Sequence, residues 1–178
     1  MKKIEVTIEG TAPLLMNKLN PEDLMKKSRQ ITREYNSKEE AEKSAYWKKD
    51  KKELCIPSEI IYASLIRASS FYKIGKKSAS SIIAGSIRIE PFEIGLGANK
   101  YVVDTRAVVV QRAKILRSRA RIDKWKATFN IHYNEKLIPE PEVLKQVLTE
   151  AGERIGIMDF RPSKRGPFGT FKITKWQS

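Results

Sequence analysis

Between Lys124 and Tyr133 apolar and polar residues alternate without a break. Trp125, Ala127, Phe129, Ile131 and Tyr133 are set against Lys124, Lys126, Thr128, Asn130 and His132. Side chains of an extended strand point in turn to the two faces of its sheet, so this period of two demands a strand with one covered face and one wet face. The same period recurs at Ile4, Val6 and Ile8, at Ile87 and Ile89, and at Phe171 and Ile173. Four half-covered strands suit an antiparallel sheet with a second layer on one side only.

Two segments with helical spacing can supply that layer. Ile61, Leu65, Ala68 and Tyr72 follow Pro57-Ser58, where Ser58 can cap the helix. Leu144, Val147, Leu148, Ala151 and Ile155 follow Pro141 and end at Gly156. The order is strand, helix, strand, strand, helix, strand. This predicts an α+β fold, a ferredoxin-like βαββαβ antiparallel sheet with two helices on one face. Residues 1–178 form a single domain carrying two insertions, at about 20–52 and 95–122. The first is charged throughout, helical in part or a mobile flap, with Leu24, Ile31, Tyr35, Tyr46 and Trp47 as its anchors. The second is a β ribbon from Tyr101–Val110 and a stretch beginning at Ile115, the whole of Ile115–Tyr133 being one bent strand or two joined ones. Leu14 to Met16 are expected to dive under the domain, Ser78 to Ala84 to form a short helix, and Pro91 to end the pairing of the second strand.

The 35 Lys+Arg outnumber the 21 Asp+Glu and leave a formal net charge of +14. A polyanion is the expected partner, and nucleic acid leads because neutralising its phosphates releases counterions. The single cysteine, Cys55, excludes a disulfide framework or a cysteine zinc site within one chain. No apolar run reaches 18 residues and no leader pattern is present, which points to the cytoplasm and away from membranes. His132 is the only histidine, and no Walker loop, nucleophile elbow or zinc spacing occurs, so neither a metal nor a cofactor is expected. Asp104, Asp123 and Asp159 each have an arginine nearby, and local ion pairing explains them better than metal catalysis.

Two segments carry the expected binding chemistry. Arg106, Arg112, Lys114, Arg117, Arg119, Arg121, Lys124 and Lys126 crowd one stretch in which Asp123 is the sole acid. On a strand, Arg117, Arg119 and Arg121 make a ladder about 13 Å long. Like charges on one face repel, so the ladder needs an anion. A phosphate backbone provides one; the alternative is a solvated edge strand guarded by charge. The second segment, from Gly156 to Phe171, offers phosphate donors in Arg161, Lys164 and Arg165, stacking rings in Phe160 and Phe168, and close backbone approach at Gly166 and Gly169. A helix cap followed by a hairpin-like loop also uses such glycines, and Phe171 belongs to the core. Lys73, Lys76 and Lys77 extend the basic path from the first helix.

Arg165-Gly166-Pro167-Phe168-Gly169-Thr170-Phe171 resembles the basic-Gly-aromatic signature of RNA-recognition motifs, although it leads into the last strand where that family carries it on the third. Gly156, Arg161, Gly166 and Gly169, with Phe171 behind them, resemble the glycine-rich loop that follows the last helix in the RAMP superfamily, which includes backbone and processing subunits of CRISPR ribonucleoproteins. The ribbon is similar to their protruding hairpin. This resemblance implies a ferredoxin-like core, side-by-side assembly along a strand, and a bacterial, archaeal or phage-infected cell. Pro13-Leu14-Leu15-Met16-Asn17, Asp159-Phe160-Arg161-Pro162 and Gly166-Pro167-Phe168-Gly169 also resemble an uncharacterised family of tailed-phage and prophage proteins, which implies a mobile-element setting and no activity.

The expected function is non-catalytic binding of single-stranded nucleic acid, DNA or RNA, with homo-oligomers or a filament along the strand. An alternative is a structural subunit docking an acidic protein. A third is a metal-independent endoribonuclease in which His132, with Tyr133 and Lys136, transfers protons at a 2′-hydroxyl.

Overall fold

The computed structural model describes residues 1–20, 35–50, 52–110 and 112–177. Of the anchors expected in the first insertion, Leu24 and Ile31 lie outside these residues. In chain order the elements are β1 (Lys2–Gly10), β2 (Leu14–Leu15), α1 (Ser37–Ser44), β3 (Cys55–Pro57), α2 (Ser58–Ser69), β4 (Lys73–Ile74), β5 (Lys77–Ser78), α3 (Ala79–Ser86), β6 (Ile87–Glu90), β7 (Glu93–Gly95), β8 (Val102–Val110), β9 (Ala113–Ile122), β10 (Lys126–Tyr133), α4 (Glu142–Glu150) and β11 (Phe171–Gln177). The fold is α+β, and no described helix is long and apolar enough to cross a membrane.

The alternating segments meet in one four-stranded antiparallel sheet, in the order β11-β1-β10-β6. Ile4, Val6 and Ile8 of β1 lie opposite Ile131, Phe129 and Ala127 of β10, and all six are almost wholly buried. Ile61, Leu65 and Ala68 of α2 and Leu144, Val147 and Leu148 of α4 belong to the same core. Each large side chain buried there contributes about 1.5–3 kcal/mol. On the other face Lys3, Glu9, Lys126 and Thr128 remain exposed.

α4 continues past Glu150 as one π-helical turn, Ala151–Ile155, and Gly156 ends it at φ 71°. The cause of the tight fit is visible at Gly152, where a Cβ would stand 2.2 Å from the Phe171 carbonyl oxygen. The helix can rest on β11 only because that position has no side chain.

Three features differ from or refine the sequence reading. Ile115–Tyr133 is two strands that belong to different sheets, with the chain turning between Asp123 and Trp125. The ribbon β8–β9 is one part of a second sheet, β2-β9-β8, because Leu14 and Leu15 pair with Ile122 and Arg121. The described part of the first insertion contains α1, capped by the Asn36 side chain, which accepts from the Lys38 and Glu39 N–H groups. Small pairs β3–β7 and β4–β5 complete the sheets, and β6 ends at Glu90, before Pro91, as expected.

Candidate nucleic-acid interface

The segment after α4 is a loop closed on itself. The Ile157 N–H donates to the Gly169 carbonyl at 2.9 Å, Phe168 to Phe160 at 3.1 Å and Gly166 to Arg161 at 3.0 Å. It is tied to the apolar turn after β1 by Asp159 N–H to Leu15 and Gly169 N–H to Pro13, each 2.9 Å. This path needs left-handed backbone at Gly156, Met158, Phe160, Arg165 and Gly169. For the three non-glycine residues that costs about 1–3 kcal/mol each, and such strain concentrates at functional sites. A Cβ at Gly166 would stand 1.9 Å from the Phe160 carbonyl oxygen, and one at Gly169 2.0 Å from that of Ile157. These two glycines therefore serve the loop's own folding, where the sequence suggested close approach of a ligand.

The loop's side chains divide into inward and outward sets. Arg161 donates from Nε to Ser163 Oγ at 3.0 Å and also bonds the Met158 carbonyl, so its guanidinium braces the loop. Phe168 is only 6% exposed. Its ring centroid lies 5.9 Å from that of Phe160 and is covered by the Arg106 guanidinium at 4.8 Å. The sequence put both phenylalanines forward for stacking; Phe168 is sealed in, and Phe160, 36% exposed, is the ring that reaches solvent. Lys164 and Arg165 are exposed and make no ion pair among the described residues.

The arginine ladder has found its anions within the chain. Arg117 pairs with Glu40 at 2.9 Å, Arg119 with Asp159 at 3.1 Å, and Arg121 with both Asp104 and Asp123 at 2.7 Å. Arg106 holds the other oxygen of Asp104 at 2.5 Å. Asp104 is almost buried, and the hydrogen bond from Arg106, joined by one from Arg121, keeps its carboxyl below the usual range despite the cost of burial. The ladder therefore has its anions within the chain and does not need an external polyanion to be comfortable. Glu40, Asp104 and Asp159 lie outside the basic segment Arg106–Lys126, and folding brings them to it. The ladder fastens the ribbon to α1 and to the glycine-rich loop.

The remaining cations are spread more widely. Arg112 and Lys114 are exposed at the ribbon's tip, about 20 Å beyond Arg119 at strand rise. Lys124 and Lys126 are exposed, with Lys126 opposite Glu9 on the open face of the main sheet. Lys73, Lys76 and Lys77 stand exposed on the β4–β5 hairpin beyond the end of α2. His132 Nε2 lies 3.0 Å from Glu90 on the sheet's open face. Tyr133, its neighbour in the strand, points into the core and is 4% exposed, so the two cannot converge on one substrate.

Two clefts meet where the loop and ribbon touch. The larger, about 450 Å³, runs between α2 and the backbone of Gly156–Asp159. Glu59, Ala63 and Arg67 line it from one face of α2, spanning about 12 Å. Asn17, Tyr46 and Arg161 face them, and burial pushes the Tyr46 phenol up. The smaller, about 220 Å³, is lined by Asn17, Lys18, Lys43, Arg117 and Arg119 together with Glu40, the partner of Arg117. Asn17 belongs to both clefts, and the Arg119–Asp159 pair joins a wall of one to a wall of the other. Two exposed rings flank α2: Phe92, 74% exposed, whose carbonyl accepts from the Ser58 N–H at the helix start, and Phe71, 56% exposed, just past its end. Asn17, Lys18, Arg67, Phe71 and Phe92 were absent from the sequence-based set. Phe71 and Phe92 were the findable ones, as phenylalanines that fit neither helical nor strand period.

No protein-family model matches this chain, and no curated protein matches it.

Proposed function

We propose that this protein binds single-stranded nucleic acid without cleaving it, along the α2–loop cleft and past Asn17 onto the base of the ribbon. The observation that carries this reading is the meeting of the two clefts at Asn17, with Arg67, Lys18, Lys43, Arg117 and Arg119 along their walls. A channel of this kind, with aromatic rings along it, tracks a phosphate backbone while bases stack on flat faces. Phe160 and Phe92 are the rings for stacking, with Phe71 offering only the face that the Arg154 guanidinium, 4.8 Å from its centroid, leaves open, and Lys164 and Arg165 reach the strand from the loop. Arg117 and Arg119 exchange a carboxylate for a phosphate when the strand enters, a swap between anions that leaves each guanidinium paired.

The four-stranded sheet is, in the same proposal, ferredoxin-like. Numbering its strands as they occur along the chain, they lie in the order fourth, first, third, second. That order, the glycine-rich loop after α4 and the ribbon between the middle strands support kinship with the RAMP superfamily.

Fluorescence anisotropy with labelled single-stranded DNA and RNA, titrated with salt, tests the reading. Log affinity is expected to fall linearly with log salt, and Arg67→Ala or Lys18→Ala to lower both affinity and slope. A flat salt response, or no retention of any strand at low salt, overturns it.

A further inference from the structure

β8 is the outer strand of the β2-β9-β8 sheet, nine residues long with the sequence Val-Val-Asp-Thr-Arg-Ala-Val-Val-Val. Its pairing with β9 runs without a bulge from Val102↔Arg121 to Val110↔Ala113. Among the described residues no backbone hydrogen bond reaches β8 except from β9. The other edge of the sheet is covered. β2 pairs with β9 at Leu14 and Leu15, the Ser118 N–H donates to Glu40 at 2.8 Å, and the Ala120 N–H donates to Ser44 Oγ at 2.8 Å. Natural edge strands are protected by charged side chains, proline, bulges or brevity. β8 has no lysine, proline or bulge, its two charged residues, Asp104 and Arg106, are tied to each other at 2.5 Å, and Val102 and Val109 are 46% and 67% exposed.

We propose that β8 is a homodimer strand, pairing antiparallel with β8 of a second copy about a two-fold axis at Thr105. The occupant follows from the strand's own sequence. An axis at Thr105 sets the Asp104 that Arg106 and Arg121 already hold within its own chain opposite the second copy's Arg106, twice, extending that ion-pair cluster across the axis, with Val103 opposite Ala107 and Val102 opposite Val108. An axis at Arg106 faces that arginine with its own copy, and one at Asp104 does the same for the carboxylate. Like charges directly opposite are destabilising, and opposite charges and β-branched pairs are favourable. The strand is thus self-complementary in one register, as an isologous interface requires. The two three-stranded sheets become one continuous sheet, and the edge that the described residues leave unpaired disappears.

Sedimentation velocity across a concentration range tests this without nucleic acid, so its outcome is independent of the binding reading. A reversible species of twice the monomer mass is expected. Thr105 is exposed, and the Ser118 hydroxyl that its Oγ1 meets at 2.6 Å is also met by the Tyr35 hydroxyl, so Thr105→Lys leaves the monomer folded by circular dichroism while setting two lysines against each other on the axis. The dimer is expected to vanish. Register is read by cross-linking, since the natural Cys55 is buried. Thr105→Cys gives an intersubunit disulfide under mild oxidation. Val103→Cys gives one only when mixed with Ala107→Cys, because directly opposite strand positions fall within disulfide reach. A monomer at every concentration, a dimer indifferent to Thr105→Lys, or equal cross-linking by Val103→Cys alone overturns the proposal.

Discussion

The Arg119 guanidinium meets the Asp159 carboxylate at 3.1 Å, with both side chains largely withdrawn from solvent. This one contact joins the ribbon to the glycine-rich loop and connects the walls of two clefts. It makes the loop's position depend on a residue forty places earlier in the chain.

Breaking that contact is therefore expected to act on binding as well as stability. Arg119→Met and Asp159→Asn should each cost about 1 kcal/mol of unfolding free energy, more than a fully exposed pair. A double-mutant cycle by urea denaturation, repeated on single-strand affinity, checks both. Additive effects on both readouts would mean that the pair does not couple loop to ribbon.

The loop glycines predict a ranking. Gly169→Ala combines φ 71° with a Cβ 2.0 Å from the Ile157 carbonyl oxygen, backbone that cannot swing away. Its loss should exceed about 3 kcal/mol, the upper end of ordinary substitutions. Gly75→Ala has φ 60° but nothing within 4 Å of the new methyl. It should cost only the left-handed penalty of about 1–2 kcal/mol. Thermal melts of the two variants give the comparison.

Phe160 and Phe168 should separate binding from folding. Phe168→Ala empties a buried position under Arg106 and is expected to lower stability by about 3 kcal/mol. Phe160→Ala should leave the melting temperature nearly unchanged and weaken single-strand binding by about 1–3 kcal/mol, the worth of one stacked base. Equal effects of both on affinity alone would contradict the burial difference.

Asp104 makes stability depend on acid. Its carboxyl is held below the ordinary 3.8 by the hydrogen bond from Arg106, with Arg121 adding to it. A lowered folded-state value means that the unfolded chain takes up the proton first. The contribution is present above the unfolded value and lost as pH falls through the folded one. Urea midpoints should drop as pH falls below the ordinary carboxylate value of 3.8, and Asp104→Asn should flatten that drop while lowering stability at neutral pH.

The thiol of Cys55 should stay silent until the protein unfolds. Burial raises it to about 11, and the side chain is 2% exposed, so it is neither ionised at neutral pH nor accessible. A disulfide reagent should modify it at the rate of unfolding.

Local period carried much of this molecule. Ile4, Val6, Ile8, Phe129 and Ile131 announced half-covered strands because side-chain direction in a strand depends only on position, and the spacings of Ile61 to Ala68 and Leu144 to Leu148 announced helices for the same kind of reason. The helix end at Gly156 was also legible, since glycine adopts its left-handed backbone without strain. What a period cannot state is which distant group will stand opposite. Leu14 and Leu15 became a strand only because β9 lay beside them. Arg117, Arg119 and Arg121 looked like a ladder with only Asp123 beside it, and tertiary structure supplied Glu40, Asp159 and Asp104 from three separate segments. Phe168 looked like a stacking ring and became packing. Charge and hydrophobicity belong to residues and can be counted along a chain; pairing and burial belong to contacts between segments remote in sequence, and those exist only once the chain has folded.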